Sequence, residues 1–160
     1  MTKTLPRVPP PPPASSASVR TIMQGNKRSD TRPEMSLRSE LHRRGVRYRV
    51  GITAEPTLNC RADIVFSAAR IAVFVDGCFW HGCVDHGVRP RTHSDYWDAK
   101  LARNVARDRR NDAALEAAGW TVVRVWEHEP PAEAADRISQ LVREKRAQLQ
   151  DRPSTSGPLG

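Results

Sequence analysis

From Asp76 to His86 the chain reads Asp-Gly-Cys-Phe-Trp-His-Gly-Cys-Val-Asp-His, and no other stretch limits the fold so strongly. It follows Ile71 to Val75, an apolar run rich in β-branched side chains that reads as a strand. Two thiols and two imidazoles then crowd where a core would place aliphatic groups, so the segment reads as a ligand-bearing loop. Cys78, Cys83 and His86 offer three borderline-soft ligands at a spacing that suits zinc. His128, just past a later strand, would complete a tetrahedral Cys2His2 set, with His93 as the competing fourth ligand. Four filled positions imply a structural ion, which would pin the loop carrying Phe79, Trp80 and His81 against that later strand. The bland alternative is a pair of buried thiols beside two surface histidines. Three cysteines, an odd number, suit a reducing compartment, so the cytoplasm is the expected location and Cys60 a leftover free thiol.

A chain of 160 residues can bury roughly two thirds of its unfolded surface, enough for one domain with an ordinary core. No apolar run approaches the roughly 20 residues of a membrane span, and five prolines, Pro9 to Pro13, interrupt the place where a secretory signal would need its apolar region. Residues 1–19 and 149–160 are too poor in apolar side chains to order themselves, which leaves 20–148 as the folded domain. A first helix begins at Thr31-Arg32-Pro33-Glu34, where Glu34 completes a capping box, and ends near Gly45 with Leu37 and Leu41 inward. Strands follow at Tyr48 to Val50, Ala62 to Phe66 and Ile71 to Val75. A long helix spans Tyr96 to Ala118, stopped by Gly119, with Trp97, Leu101, Val105 and Leu115 as its apolar stripe. A strand from Thr121 to Trp126 and a helix from Ala132 to Arg146 complete an α/β pattern: a mixed central sheet flanked by helices.

The net charge is +8, and basic residues gather at Lys27 to Arg49, Lys100 to Arg110 and Arg143 to Arg146. Such clusters favour phosphate-bearing partners, because each cation that meets a phosphate releases counterions. Charge alone also fits a merely solvated surface.

The chain resembles a known family. Met23 and Glu34, Arg61-Ala62-Asp63, Gly77-Cys78-Phe79-Trp80-His81, Asn104 to Arg110, Gly119-Trp120 and Val125-Trp126-Glu127 together are similar to the very-short-patch repair (Vsr-type) mismatch endonucleases, which have a restriction-endonuclease-like fold. The resemblance runs from about Met23 to Glu129. It implies a Mg2+-dependent endonuclease, acting as a monomer on double-stranded DNA in the nucleoid, that nicks 5′ to the thymine of a T:G mismatch and so starts repair of deaminated 5-methylcytosine. A companion cytosine-5 methyltransferase and a cooperating mismatch-repair protein are implied with it.

Residue by residue, Asp63 matches the family's metal-binding aspartate, although Ala62 stands where the family has proline. The backbone carbonyl of Val75 matches a second Mg2+ ligand, and Asp76 beside it is a candidate supporting carboxylate at a position where the family varies. His81 matches the histidine that activates the attacking water, a task suited to a pKa near working pH; its position between Cys78 and Cys83 also allows a zinc ligand. Asp108 would orient His81 or pair with a base on its own helix. Glu34 matches a glutamate near the reacting phosphate. Phe79, Trp80 and Met23 match the residues that wedge beside the mismatch. Lys27, Arg28, Arg32, Arg103, Arg107, Arg109 and Arg110 are candidates for phosphate contacts. Two other readings stay open: a nuclease of the same fold with another DNA target, and a zinc-stabilised DNA-binding module without catalysis.

Overall fold

The structure, a computed structural model, describes residues 7–13, 29–78, 83, 85–86 and 93–151. Met23, Lys27, Arg28, Phe79, Trp80 and His81 lie outside the described residues. Among those described, the order is α1 (Arg32–Arg43), β1 (Arg49–Thr53), β2 (Arg61–Phe66), a single 3-10 turn (Ser67–Ala69), β3 (Ile71–Asp76), α2 (Ser94–Ala117), β4 (Thr121–Trp126) and α3 (Pro131–Gln150). The strands form one sheet in the order β1-β2-β3-β4. The first two pairings are antiparallel and β3 with β4 is parallel, because α2 carries the chain back across the sheet. This is the mixed sheet flanked by helices that the sequence implies. No helix among the described residues is long and apolar enough to cross a membrane.

Each face of the sheet buries its own core. On one, Leu37 and Leu41 of α1 and Ile138 and Val142 of α3 close over Ile64, Phe66, Val73 and Val123. On the other, Leu115 of α2 and Trp120 pack on Ala62, Val65, Ala72 and Phe74. Trp120 is delivered there by a Schellman turn: Gly119 takes φ 84, and the Trp120 N–H reaches the Leu115 carbonyl at 3.0 Å.

Four expectations need correction. The Thr31 side chain makes no capping bond; its hydroxyl donates to Glu34 Oε1 (2.8 Å), while Glu34 Oε2 accepts from the Asp30 N–H (3.0 Å) and from Arg38 one turn later (3.1 Å). Glu34 therefore faces a charged partner instead of closing a capping box on Thr31. Of the proposed stripe on α2, only Leu115 is buried, with Tyr96 in place of the others, while Trp97, Leu101 and Val105 are half-buried. A helix of 24 residues is about 36 Å long and overhangs strands of about 20 Å. The third helix continues through Gln150, beyond Arg146, since Glu144 to Gln150 contains no helix breaker.

The last correction concerns β1, expected at Tyr48 to Val50, which instead spans Arg49–Thr53 and passes through Gly51. The register sets Gly51 across from Asp63, and strict alternation fails there: Ala62 and Val65 face one core, Ile64 and Phe66 the other. Gly51 absorbs the irregularity in a left-handed conformation (φ 57), and a Cβ on it would come within 2.9 Å of the Arg61 guanidinium. That guanidinium hydrogen-bonds the Gly51 carbonyl. Asp63 thus sits where β2 departs from regular strand geometry.

Candidate active site and metal centre

Parallel strands in α/β sheets leave their ligand sites at the carboxyl ends, and here β3 and β4 end together. The β2–β3 ladder stops at Ile64 and Val73. Beyond it the Val75 N–H donates to Asp63 Oδ2 (2.7 Å), so a side-chain carboxylate replaces the next backbone acceptor. One residue on, the Asp76 carbonyl accepts from the Glu127 N–H on the β4 side (2.9 Å). Because successive strand residues point their backbone groups to opposite sides, the Val75 carbonyl faces Asp63.

Burial, with Glu34 and Asp76 nearby, pushes the Asp63 carboxyl up to about 6, against the Val75 N–H and Arg38. Negative charge is crowded here and would be relieved by a cation. The donors are hard oxygens: the Asp63 carboxylate, the Val75 carbonyl and, from the first turn of α1, Glu34, which is 4% exposed. That set fits Mg2+, which takes few protein oxygens and keeps several waters. Beside it a cleft of about 180 Å³ opens between α1 and the start of α3, lined by Arg32, Ser36, Val75, Trp126 and Glu127.

Asp76 is 3% exposed and held by Arg124, whose Nη1 donates to both carboxylate oxygens at 2.8 and 2.9 Å. Nε and Nη2 of Arg124 go to the two oxygens of Asp112 on α2, at 2.8 Å each. Arg124 and Asp112 escape a reading by motif. The available signal was a lone arginine between Val123 and Val125, since a charge within an apolar strand must find partners. Asp108 is half-buried on α2, 3.4 Å from Arg107 Nη2. Arg32, Arg103, Arg107, Arg109 and Arg110 are all exposed.

The second donor set follows from the same strand pair. Since Asp76 pairs with Trp126, extending the parallel register by two residues brings Cys78 opposite His128, and Cys78 Sγ lies 3.0 Å from His128 Nδ1. Cys83 Sγ is 3.8 Å from that nitrogen and 3.9 Å from His86 Nδ1. The ligand atoms of Cys78, Cys83, His86 and His128 all lie within 4.8 Å of one another, a looser cluster than the roughly 3.5 Å edge of a tetrahedral zinc shell, which an ion would draw inward. His93 instead precedes α2 in a left-handed conformation and is not in this group.

The charge balance also suits a divalent ion. Burial first, then Cys83 and Glu127, push the Cys78 thiol up to about 11. Burial also acts on Cys83, but hydrogen bonds with His86 outweigh it and lower that thiol. Two adjacent thiols compete for one negative charge, and a dication between them would end the competition. Glu127 Oε1 accepts the Cys78 N–H at 2.7 Å and fixes the first ligand's backbone.

Comparison with known proteins agrees with this architecture. Residues 15–86 match the family model described as DNA mismatch endonuclease Vsr. The chain is 49% identical to the type II nicking enzyme V.NaeI of Lentzea aerocolonigenes, over 75% of this chain and 72% of that one. It is 45% identical to the type II nicking enzyme V.XorIIP of Xanthomonas oryzae, over 69% and 79%. To the DNA mismatch endonuclease Vsr of Escherichia coli it is 39% identical, over 61% and 62%. With the strand-end donor set in place and relatives aligned across most of their length, the chain belongs to the Vsr family of DNA mismatch endonucleases and is a DNA-cleaving hydrolase.

Proposed function

We propose that this endonuclease breaks one strand of duplex DNA 5′ to the thymine of a T:G mismatch and thereby begins repair of deaminated 5-methylcytosine. The observation that carries the reading is the Asp63 carboxylate fixed by the Val75 N–H at the end of β3, with Glu34 close by. Relatives named as nicking enzymes support a single-strand break, and the Escherichia coli relative named as a mismatch endonuclease supports the mismatched substrate.

Asp63 and the Val75 carbonyl would hold Mg2+, with Glu34 supporting them from α1. Bound there, the ion would polarise the scissile phosphate and stabilise charge developing on it. His81 takes the proton from the attacking water, and Asp108 orients His81. Phe79 and Trp80 enter the stack from one groove and Met23 from the other, where a mismatch makes distortion cheap. Lys27, Arg28, Arg107 and Arg110 contact phosphates. Cys78, Cys83, His86 and His128 would hold a structural Zn2+ that fixes the reading loop. The enzyme acts as a monomer on nucleoid DNA in the cytoplasm, on lesions left by a cytosine-5 methyltransferase, with a mismatch-repair protein as a cooperating partner.

The test is nicking and binding of a T:G duplex by His81→Ala and Asp63→Ala. The rate should fall about 10²- to 10⁴-fold in His81→Ala while duplex affinity persists. Either variant nicking at the parent rate would remove that residue from the mechanism.

A further inference from the structure

We propose that Arg124 is a positioning residue that ties helix α2 to the metal-binding end of β3 through Asp112 and Asp76. The proposal rests on Asp63 and Val75 being the Mg2+ clamp. Its basis is geometric. The guanidinium spans two carboxylates, using Nε and Nη2 on Asp112 and Nη1 on Asp76, all at 2.8 to 2.9 Å. It lies 4.9 Å from the centroid of the Phe74 ring, which limits its freedom above the sheet. A planar fork held at both ends transmits position better than a flexible ammonium would.

The two ends of this bridge matter for different reasons. Asp76 is the residue after Val75, whose N–H holds Asp63. Any shift of the Asp76 carboxylate therefore pulls on the backbone that shapes the clamp. Asp112 lies on the helix that presents Arg103, Arg107, Arg109 and Arg110 to solvent. When that basic face seats on phosphates, Arg124 carries the position of the helix to the metal-binding strand.

The experiment uses the full chain and three measurements: thermal melting, Mg2+ binding by calorimetry without DNA, and nicking of a T:G duplex against Mg2+ concentration, with duplex affinity taken in EDTA. Arg124→Lys keeps the charge and loses the fork; Asp112→Asn keeps the Arg124–Asp76 pair and loosens its anchor. Arg124→Lys should weaken Mg2+ binding about tenfold or more and raise the Mg2+ needed for nicking in parallel, with duplex affinity within about twofold of the parent. Asp112→Asn should move both in the same direction by less. Should Arg124→Lys fail to fold, Asp112→Asn decides alone: a folded Asp112→Asn with parent metal affinity and nicking overturns the proposal. So does a folded Arg124→Lys that melts lower yet binds Mg2+ and nicks as the parent does. A parent protein that neither binds Mg2+ nor nicks would overturn the metal reading, and this proposal with it.

Discussion

The two donor sets at the end of β3 are built in opposite ways. Cys78, Cys83, His86 and His128 come from loops, with two exposed imidazoles and two thiols competing for charge, so their arrangement depends on what they bind. Asp63, Val75 and Glu34 are fixed before any ion arrives, by the Val75 N–H, by Asp30 and Arg38, and by the sheet itself. Under the proposed function this would be a division of labour, with soft ligands folding a loop and hard ligands on rigid elements doing the chemistry.

The largest effect belongs to Asp63→Asn. Nicking should fall about a thousandfold or more, while zinc content stays at the parent value by elemental analysis. Melting in Mg2+-free buffer at pH 7 should stay level or rise, because the variant removes a buried charge that burial disfavours. A lower melting point would mean that the aspartate holds the fold and not the chemistry.

Cys83→Ala should do the reverse, losing zinc and lowering the melting temperature. Duplex affinity in the protein that remains folded should fall with it, on the proposal that Phe79 and Trp80, which stand between the two cysteines in sequence, read the mismatch. Unchanged zinc content would remove Cys83 from the cluster.

The next effect concerns pH. Asp63 titrates near 3.8 when unfolded and near 6 when folded, so the native state binds more protons between those values. Without Mg2+, this group's contribution to stability declines as pH rises from about 4 to about 6, by at most about 3 kcal/mol. Mg2+ competes with that proton, so the rise in melting temperature on adding Mg2+ should be small at pH 5 and full above pH 7. A rise equal at both pH values would place the ion elsewhere.

The smallest effect is expected for Arg107→Ala and Arg110→Ala. Each should weaken matched and mismatched duplexes alike by a few fold and reduce the salt dependence of binding by about one phosphate contact. Loss confined to the mismatched duplex would make these residues readers of the lesion.

Much of this was legible in the sequence because it depends on local order. The strand at Thr121 to Trp126 follows from its β-branched run, and the gathering of Cys78, Cys83, His86 and His128 from their spacing plus one later histidine. Asp63 and Val75, which the resemblance to the family names together, are joined by the Val75 N–H bond to the Asp63 carboxylate. What escaped was set by pairing between distant segments. Glu34 turns to Asp30 and Arg38 in place of a box with Thr31; Gly51 continues a strand because it lies opposite Asp63; and Arg124 finds Asp76 and Asp112 only once β3, β4 and α2 are assembled. None of these has a fixed spacing along the chain, so periodicity and capping rules could not reach them.

The most direct test of the two-centre account is to remove Mg2+ from the purified protein by exhaustive dialysis against metal-free buffer, verify that zinc remains, and map cleavage of end-labelled duplexes carrying T:G, T:A or C:G in varied flanks. The account predicts no cleavage until Mg2+ is restored, then a single nick 5′ to the mismatched thymine alone. Cleavage before Mg2+ is restored, or equal cleavage of matched duplexes, would contradict it.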